Sequence, residues 1–141
     1  MRYNKIRKMD ISNGPGVRVS IFMQGCTFNC KNCFNPETHD FCAGKEFTDE
    51  TIDRIMELCS MEYIEGLSIL GGDPLEKENI SKVKYIIREC KLFYEFTYDK
   101  PLNIWLWTGS IFENLLIRLL SDSTWFCLDS WYIDDFTVNE D

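Results

Sequence analysis

Val17-Arg18-Val19-Ser20-Ile21-Phe22-Met23-Gln24-Gly25-Cys26 is the stretch on which the fold turns. Its β-branched residues and partial period of two predict a strand over Val17–Gln24. Gly25 ends the strand, and Cys26 opens a loop that carries two further cysteines, Cys30 and Cys33. Three thiols thus hang from the C-terminal end of a strand, where parallel α/β sheets place their ligand-binding residues.

Downstream, the pattern alternates. Thr48 is a suitable N-cap, Asp49 and Glu50 suit the positive end of a helix dipole, and Ile52, Ile55, Met56 and Cys59 recur at helical spacing. Gly66-Leu67-Ser68-Ile69-Leu70 reads as a buried strand that stops at Gly71-Gly72-Asp73-Pro74. A second amphipathic helix carries Val83, Ile86, Ile87 and Cys90 on one face. Lys91 to Pro101, rich in aromatics, reads as an irregular connection. A third strand, Asn103 to Trp107, stops at Thr108-Gly109, and Ile111, Leu115, Leu116 and Leu119 suggest a third helix.

Strands alternating with helices predict an α/β fold of parallel strands joined by right-handed crossovers. Such a sheet gathers the cysteine loop, the Gly71–Pro74 turn and the Thr108–Gly109 turn at one edge. Trp105 and Trp107, alternate residues of one strand, share a face and are expected in the core. The cationic start, Arg2, Lys5, Arg7 and Lys8, reads as a solvated strand edge.

The chain has 141 residues, enough for a single domain with its own core. A formal charge of −8 argues against a phosphate-tracking nucleic-acid surface. No apolar run approaches a membrane span and no secretory leader is visible, so a cytoplasmic protein with no membrane partner is expected. Seven cysteines are an odd number, and thiols in that compartment stay reduced. Metal ligation therefore suits the close trio, whereas Cys59 and Cys90 fall on apolar helix faces as small core residues.

Three thiolates can hold three irons of a cubane cluster and leave the fourth without a protein ligand, open to a small molecule. A closed zinc site would need His39 as the fourth ligand, and a lone histidine on a polar loop is more simply a surface residue. In the Gly71–Pro74 turn, glycines let backbone approach a ligand closely, and a carboxylate can accept from an ammonium group.

Cys26-x3-Cys30-x2-Cys33 resembles the cluster motif of radical S-adenosylmethionine enzymes, and Gly71-Gly72-Asp73-Pro74 resembles their second signature. Asn13-Gly14-Pro15-Gly16-Val17-Arg18, Cys33-Phe34-Asn35 and Ile104-Trp105-Leu106-Trp107-Thr108-Gly109 narrow the resemblance to glycyl-radical activating enzymes, in particular those serving anaerobic ribonucleoside-triphosphate reductases. The resemblance implies a partial (β/α) barrel, one radical S-adenosylmethionine domain over residues 1–141, similar to the family over about 1–120. Residues 121–141 diverge, and the fold is expected to be cut short at that end. Cys26, Cys30 and Cys33 would ligate a [4Fe-4S] cluster. Asn32, Cys33 and Phe34 would lie against the adenine of S-adenosylmethionine; Gly71, Gly72 and Asp73 would face its methionine moiety; Thr108 and Gly109 would add further contacts. Arg18 would neutralise charge near the cluster or pair with a surface acid.

The implied reaction is reductive cleavage of S-adenosylmethionine to place a glycyl radical on the large subunit of the reductase, with a low-potential electron donor such as flavodoxin. No catalytic side chain is required, because the chemistry is carried by the cofactor. Two alternatives remain at this stage: an activase of another glycyl-radical enzyme, and a non-catalytic metal-binding remnant.

Overall fold

A computed structural model describes residues 1–28 and 30–109, together with the backbone of Thr137–Val138. The strands are β1 (Arg2–Asp10), β2 (Arg18–Met23), β3 (Lys45–Glu46), β4 (Gly66–Gly71), β5 (Asn103–Thr108) and β6 (Thr137–Val138); the helices are α1 (Asp49–Cys59) and α2 (Ile80–Tyr98). They form an α/β architecture around one open sheet of order β3-β1-β2-β4-β5-β6. No closed barrel forms among the described residues.

Strands β2, β4 and β5 are parallel neighbours, as the alternating pattern predicts, and β6, which that pattern did not include, pairs parallel with β5. The expectation of a wholly parallel sheet is corrected at the N-terminus. β1 is a long strand that pairs antiparallel with β2, for example Ile6 with Ile21, and β3 pairs antiparallel with β1. The short connection over residues 11–17 suffices for an antiparallel return, whereas a parallel one would need a crossover helix. β3 covers only Arg2 and Tyr3, so among the described residues the rest of β1 is the sheet edge that its basic residues suggested.

Alternation sorts the parallel strands into two faces. Val19, Ile21 and Met23 of β2, Leu67 and Ile69 of β4, and Ile104 and Leu106 of β5 join α1 and α2 in the core. Ile52, Ile55, Leu58 and Cys59 supply the buried stripe of α1, and Val83, Ile86, Ile87 and Cys90 that of α2. The opposite face bears Arg18, Ser20 and Phe22 beside Gly66, Ser68 and Leu70, with Trp105 opposite Ser68.

Three expectations change. α2 runs on to Tyr98, through most of the segment expected to be irregular. Tyr94, one turn beyond Cys90, continues the buried stripe, and its ring lies 4.8 Å from that of Tyr98. The helix ends only at Asp99, whose φ of 53° is left-handed and whose N–H donates to Glu95 O at 2.9 Å. Of the two roles expected of Arg18, pairing with a surface acid survives as charge attraction to the exposed Glu65, while its hydrogen bonds go inward. Arg18 is fully buried and donates to Ser68 Oγ at 2.7 Å and to the carbonyls of Pro15, Leu67 and Asn103, tying β2, β4 and β5 together. Trp105 and Trp107 are half-buried on the face away from the helices rather than in the core; the Trp107 indole donates to Asn13 O at 3.3 Å. The helix expected around Ile111–Leu119, and Cys127, lie outside the described residues.

Candidate cofactor site at the strand ends

Because β2, β4 and β5 run parallel, their C-terminal ends lie side by side, and the loops that leave them surround one cavity of about 680 Å³. Every residue expected to hold cluster or cofactor lines it: Cys26, Cys30 and Cys33; Asn32 and Phe34; Gly71, Gly72 and Asp73; Thr108 and Gly109. His39 and Trp107 join them.

The cysteine loop is anchored at its stem. Gly25 N–H donates to Thr38 O at 2.7 Å and Cys26 N–H to His39 O at 3.2 Å. Beyond the stem, Asn32 adopts a left-handed φ of 59°, which asparagine tolerates and which reverses the chain between Cys30 and Cys33. Cys26 and Cys33 are half-buried and Cys30 is exposed. Asn35 N–H donates to Cys33 Sγ at 3.4 Å. No three His, Cys, Asp or Glu side chains converge as they would on a single metal ion among the described residues. The thiolates of a cubane each grip a different iron, so they need no such convergence.

His39 is misplaced by the surface reading. Its Nε2 is buried and has no hydrogen-bond partner among the described residues. A buried polar nitrogen without a partner is costly, so a bound group in the neighbouring cavity would satisfy it. Three thiols of differing exposure with an orphaned nitrogen beside the same cavity fit an iron–sulfur group.

The glycine turn meets the loop from the other side. Gly71 takes a φ of 109°, and a Cβ at Gly72 would strike Gly25 O and come within 2.9 Å of Thr38 O. Glycine at both positions lets the two loops close on each other, with Gly72 N–H donating to Met23 O and Asp73 N–H to Gly25 O, both at 2.9 Å.

Asp73 is built as a latch. Only 1% exposed, its carboxylate accepts from Leu75 N–H at 2.8 Å and from Thr108 Oγ1 and Gly109 N–H at 2.9 Å. Burial pushes its pKa up, outweighing the hydrogen bonds from Gly109, Leu75 and Thr108 that pull it down, and the nearby Glu76 adds to the rise. Thr108 and Gly109 are therefore held to the glycine turn by Asp73 itself, a link that sequence order could not reveal.

Two residues escaped the sequence reading. Glu76 Oε1 accepts from both the amide and the hydroxyl of Thr27, each at 2.7 Å. Asn79 Nδ2 donates to Gln24 O at 3.1 Å and to Asp73 O at 3.0 Å. In sequence both look like residues leading into a helix; only their fall three residues apart after Asp73 hinted at a shared turn.

Residues 12–137 match the family described as a 4Fe-4S single cluster domain. The chain is also 36% identical to the anaerobic ribonucleoside-triphosphate reductase-activating protein of enterobacteria phage T4, over 82% of this chain and 70% of that one. It is 36% identical to the protein of that name from Vibrio cholerae, over 77% of this chain and 68% of the relative.

The chain belongs to the family of anaerobic ribonucleoside-triphosphate reductase-activating proteins.

The Escherichia coli K12 member is 33% identical, over 82% of this chain and 73% of its own length. The 4Fe-4S match extends to residue 137. Among the described residues no helix is long and apolar enough to cross a membrane, and Cys30, Cys33, Cys42, Cys59 and Cys90 are free thiols.

Proposed function

We propose that this member of the activating-protein family is a radical S-adenosylmethionine enzyme, a single domain over residues 1–141 working in the cytoplasm, that installs a glycyl radical on an anaerobic ribonucleoside-triphosphate reductase. The observation that carries this reading is the convergence on one cavity of the cysteine loop, the glycine turn and the Thr108–Gly109 turn. When bound, a [4Fe-4S] cluster supplies the electron for reductive cleavage of S-adenosylmethionine, from which hydrogen abstraction at a glycine α-carbon of the reductase follows.

The chain's own residues bind and orient. Cys26, Cys30 and Cys33 would hold the cluster and leave one iron open to the cofactor. The backbone from Asn32 to Phe34 would lie against the adenine. Gly71 and Gly72 would present bare backbone to the methionine moiety, and carbonyls of the turn would accept from its ammonium group. Asp73 contributes indirectly, since its carboxylate is already taken up by Leu75, Thr108 and Gly109. Its task is to hold the turns together around the ligand. The open sheet of β2, β4 and β5 serves as part of a (β/α) barrel whose inner face carries Phe22, Leu70 and Trp107 toward the cavity.

The test is anaerobic reconstitution with iron and sulfide, followed by strong reductant, S-adenosylmethionine and an anaerobic reductase. A brown protein that releases 5′-deoxyadenosine and gives a glycyl signal by electron spin resonance is the expected result. A colourless protein carrying one zinc, or a cluster that never cleaves S-adenosylmethionine, would overturn the proposal. Cleavage without a glycyl signal on the reductase would redirect it to another glycyl-radical enzyme.

A further inference from the structure

The segment from Asp73 to Asn79 touches every part of the site. Asp73 holds Thr108 and Gly109, Asn79 holds Gln24, and Glu76 holds Thr27, the residue next to Cys26. Glu76 is only 8% exposed and reaches the loop with one oxygen, which receives both Thr27 donors. Its backbone is fixed in turn: Glu76 N–H donates to Asp73 O at 3.2 Å, and Glu76 O accepts from the amides of Asn79 and Ile80 at 2.9 Å as α2 begins. Asp73 N–H already joins the glycine turn to Gly25 O at 2.9 Å, and Glu76 adds a second tether at Thr27, so the Cys26 backbone lies between two bonds from the same segment.

We propose that Glu76 is a positioning residue, whose acceptor oxygen sets the distance between the cysteine loop and the Gly71–Gly72 turn and so aligns cluster with S-adenosylmethionine. The inference rests on the reading of Cys26, Cys30 and Cys33 as cluster ligands. It assigns Glu76 no contact with the reacting atoms.

The experiment uses the full chain, reconstituted anaerobically, as wild type, Glu76→Gln, Glu76→Ala, Thr27→Val and the exposed control Glu78→Ala. Glutamine retains an acceptor oxygen, alanine removes it, and valine at residue 27 removes the hydroxyl donor while sparing the amide. Four quantities are read: iron and sulfide per chain, the half-time of cluster loss to a chelator, the change in the reduced cluster's spin-resonance spectrum on adding S-adenosylmethionine, and KM against kcat for its cleavage. Partners that orient metal ligands are worth about tenfold or more in retention of the metal.

Glu76→Ala should lose its cluster about tenfold faster than wild type, with a raised KM and a diminished spectral change. Thr27→Val should fall between the two, while Glu76→Gln is restored to near wild type and Glu78→Ala matches it. A merely structural role would lower the melting temperature without altering the spectral change or being rescued by glutamine. Equal retention and KM in wild type and Glu76→Ala would overturn the role of Glu76. Should Glu76→Ala fail to fold, Thr27→Val decides, and wild-type behaviour there would overturn the role equally. A wild type that takes up no cluster would instead sink the ligand assignment on which the inference stands, a result distinguishable from all of these.

Discussion

Arg18 shows how a single residue can hold a sheet together from its polar side. A guanidinium with no exposed surface would be costly if unpaired, yet its donors reach Ser68 Oγ and three carbonyls on neighbouring segments, and its charge lies 5.9 Å from the centre of the Trp105 ring. Methionine fills a similar volume but strands those acceptors. Arg18→Met should therefore cost about 3 kcal/mol or more, because hydrogen bonds to a charged donor contribute about 1.5–3 kcal/mol each and their loss leaves buried acceptors unmet. The melting temperature of the anaerobic protein reads this, and an unchanged value would refute it. Cys59 is the opposite case, a buried thiol with nothing to do. Burial pushes its pKa up to about 12, offset only slightly by Arg18, and burial pushes Cys90 higher still. Below the ordinary thiol value of 9.0 both folded and unfolded chains keep the Cys59 proton; between 9.0 and about 12 only the folded chain does. Stability should thus fall as pH rises through that window, and the fall should be shallower in Cys59→Ala. In the same protein at pH near 8, iodoacetamide should label exposed Cys42 while Cys59 and Cys90 stay unmodified by mass spectrometry; equal labelling of the three would contradict the burial argument.

Among the elements, the meeting of cysteine loop and glycine turn decides whether there is a site at all. Gly72 sits where any side chain would collide with backbone oxygens of Gly25 and Thr38, neither of which can move without disturbing the stem of the loop. Gly72→Ala should cost about 1–3 kcal/mol and, because the strain falls on that stem, should also reduce the iron bound per chain. Normal iron content together with a normal melting temperature would show that the two loops are not pressed together. Strand and helix positions were legible because they obey simple periods: the alternation of Val19, Ile21 and Met23, and the helical recurrence of Ile52, Ile55 and Cys59. The end of α2 was not, because Phe93, Phe96 and Tyr98 crowd the sequence with aromatics that are exposed rather than buried, and only Tyr94 keeps the stripe. β1 was legible only as a basic strand edge; its full length and antiparallel pairing were not, since its register shifts between Tyr3 and Lys5 and between Arg7 and Asp10. The candidate ligands were visible in their spacing, but the latches were not. What Asp73 and Glu76 bond to is a property of neighbouring loops, and linear order holds no trace of it.

For the molecule as a whole, apolar burial and site chemistry are separated in space. The core lies between one face of the sheet and two helices, whereas the cavity opens at the strand ends and along the other face. Nothing in the core requires metal. The cysteine loop, by contrast, has no buried apolar anchor of its own: Phe34 is 98% exposed and Phe28 41%. Its order must then come from the stem bonds, from Glu76, and from whatever the three thiols hold. Stability in such a protein is uneven, with the core opening only on global unfolding and the loop opening locally at far lower cost. Iron removal should act on the second kind of opening alone. In hydrogen–deuterium exchange of the reconstituted protein before and after anaerobic chelation, amides of residues 30–35 should exchange at least tenfold faster once iron is gone, since ligand binding protects in proportion to its free energy. Amides of β2, β4 and β5 should keep their rates, because their partners lie within the sheet. Should those strand amides accelerate in step with the loop, the metal would be holding the fold itself together, and the division between a self-sufficient core and a metal-ordered loop would be wrong.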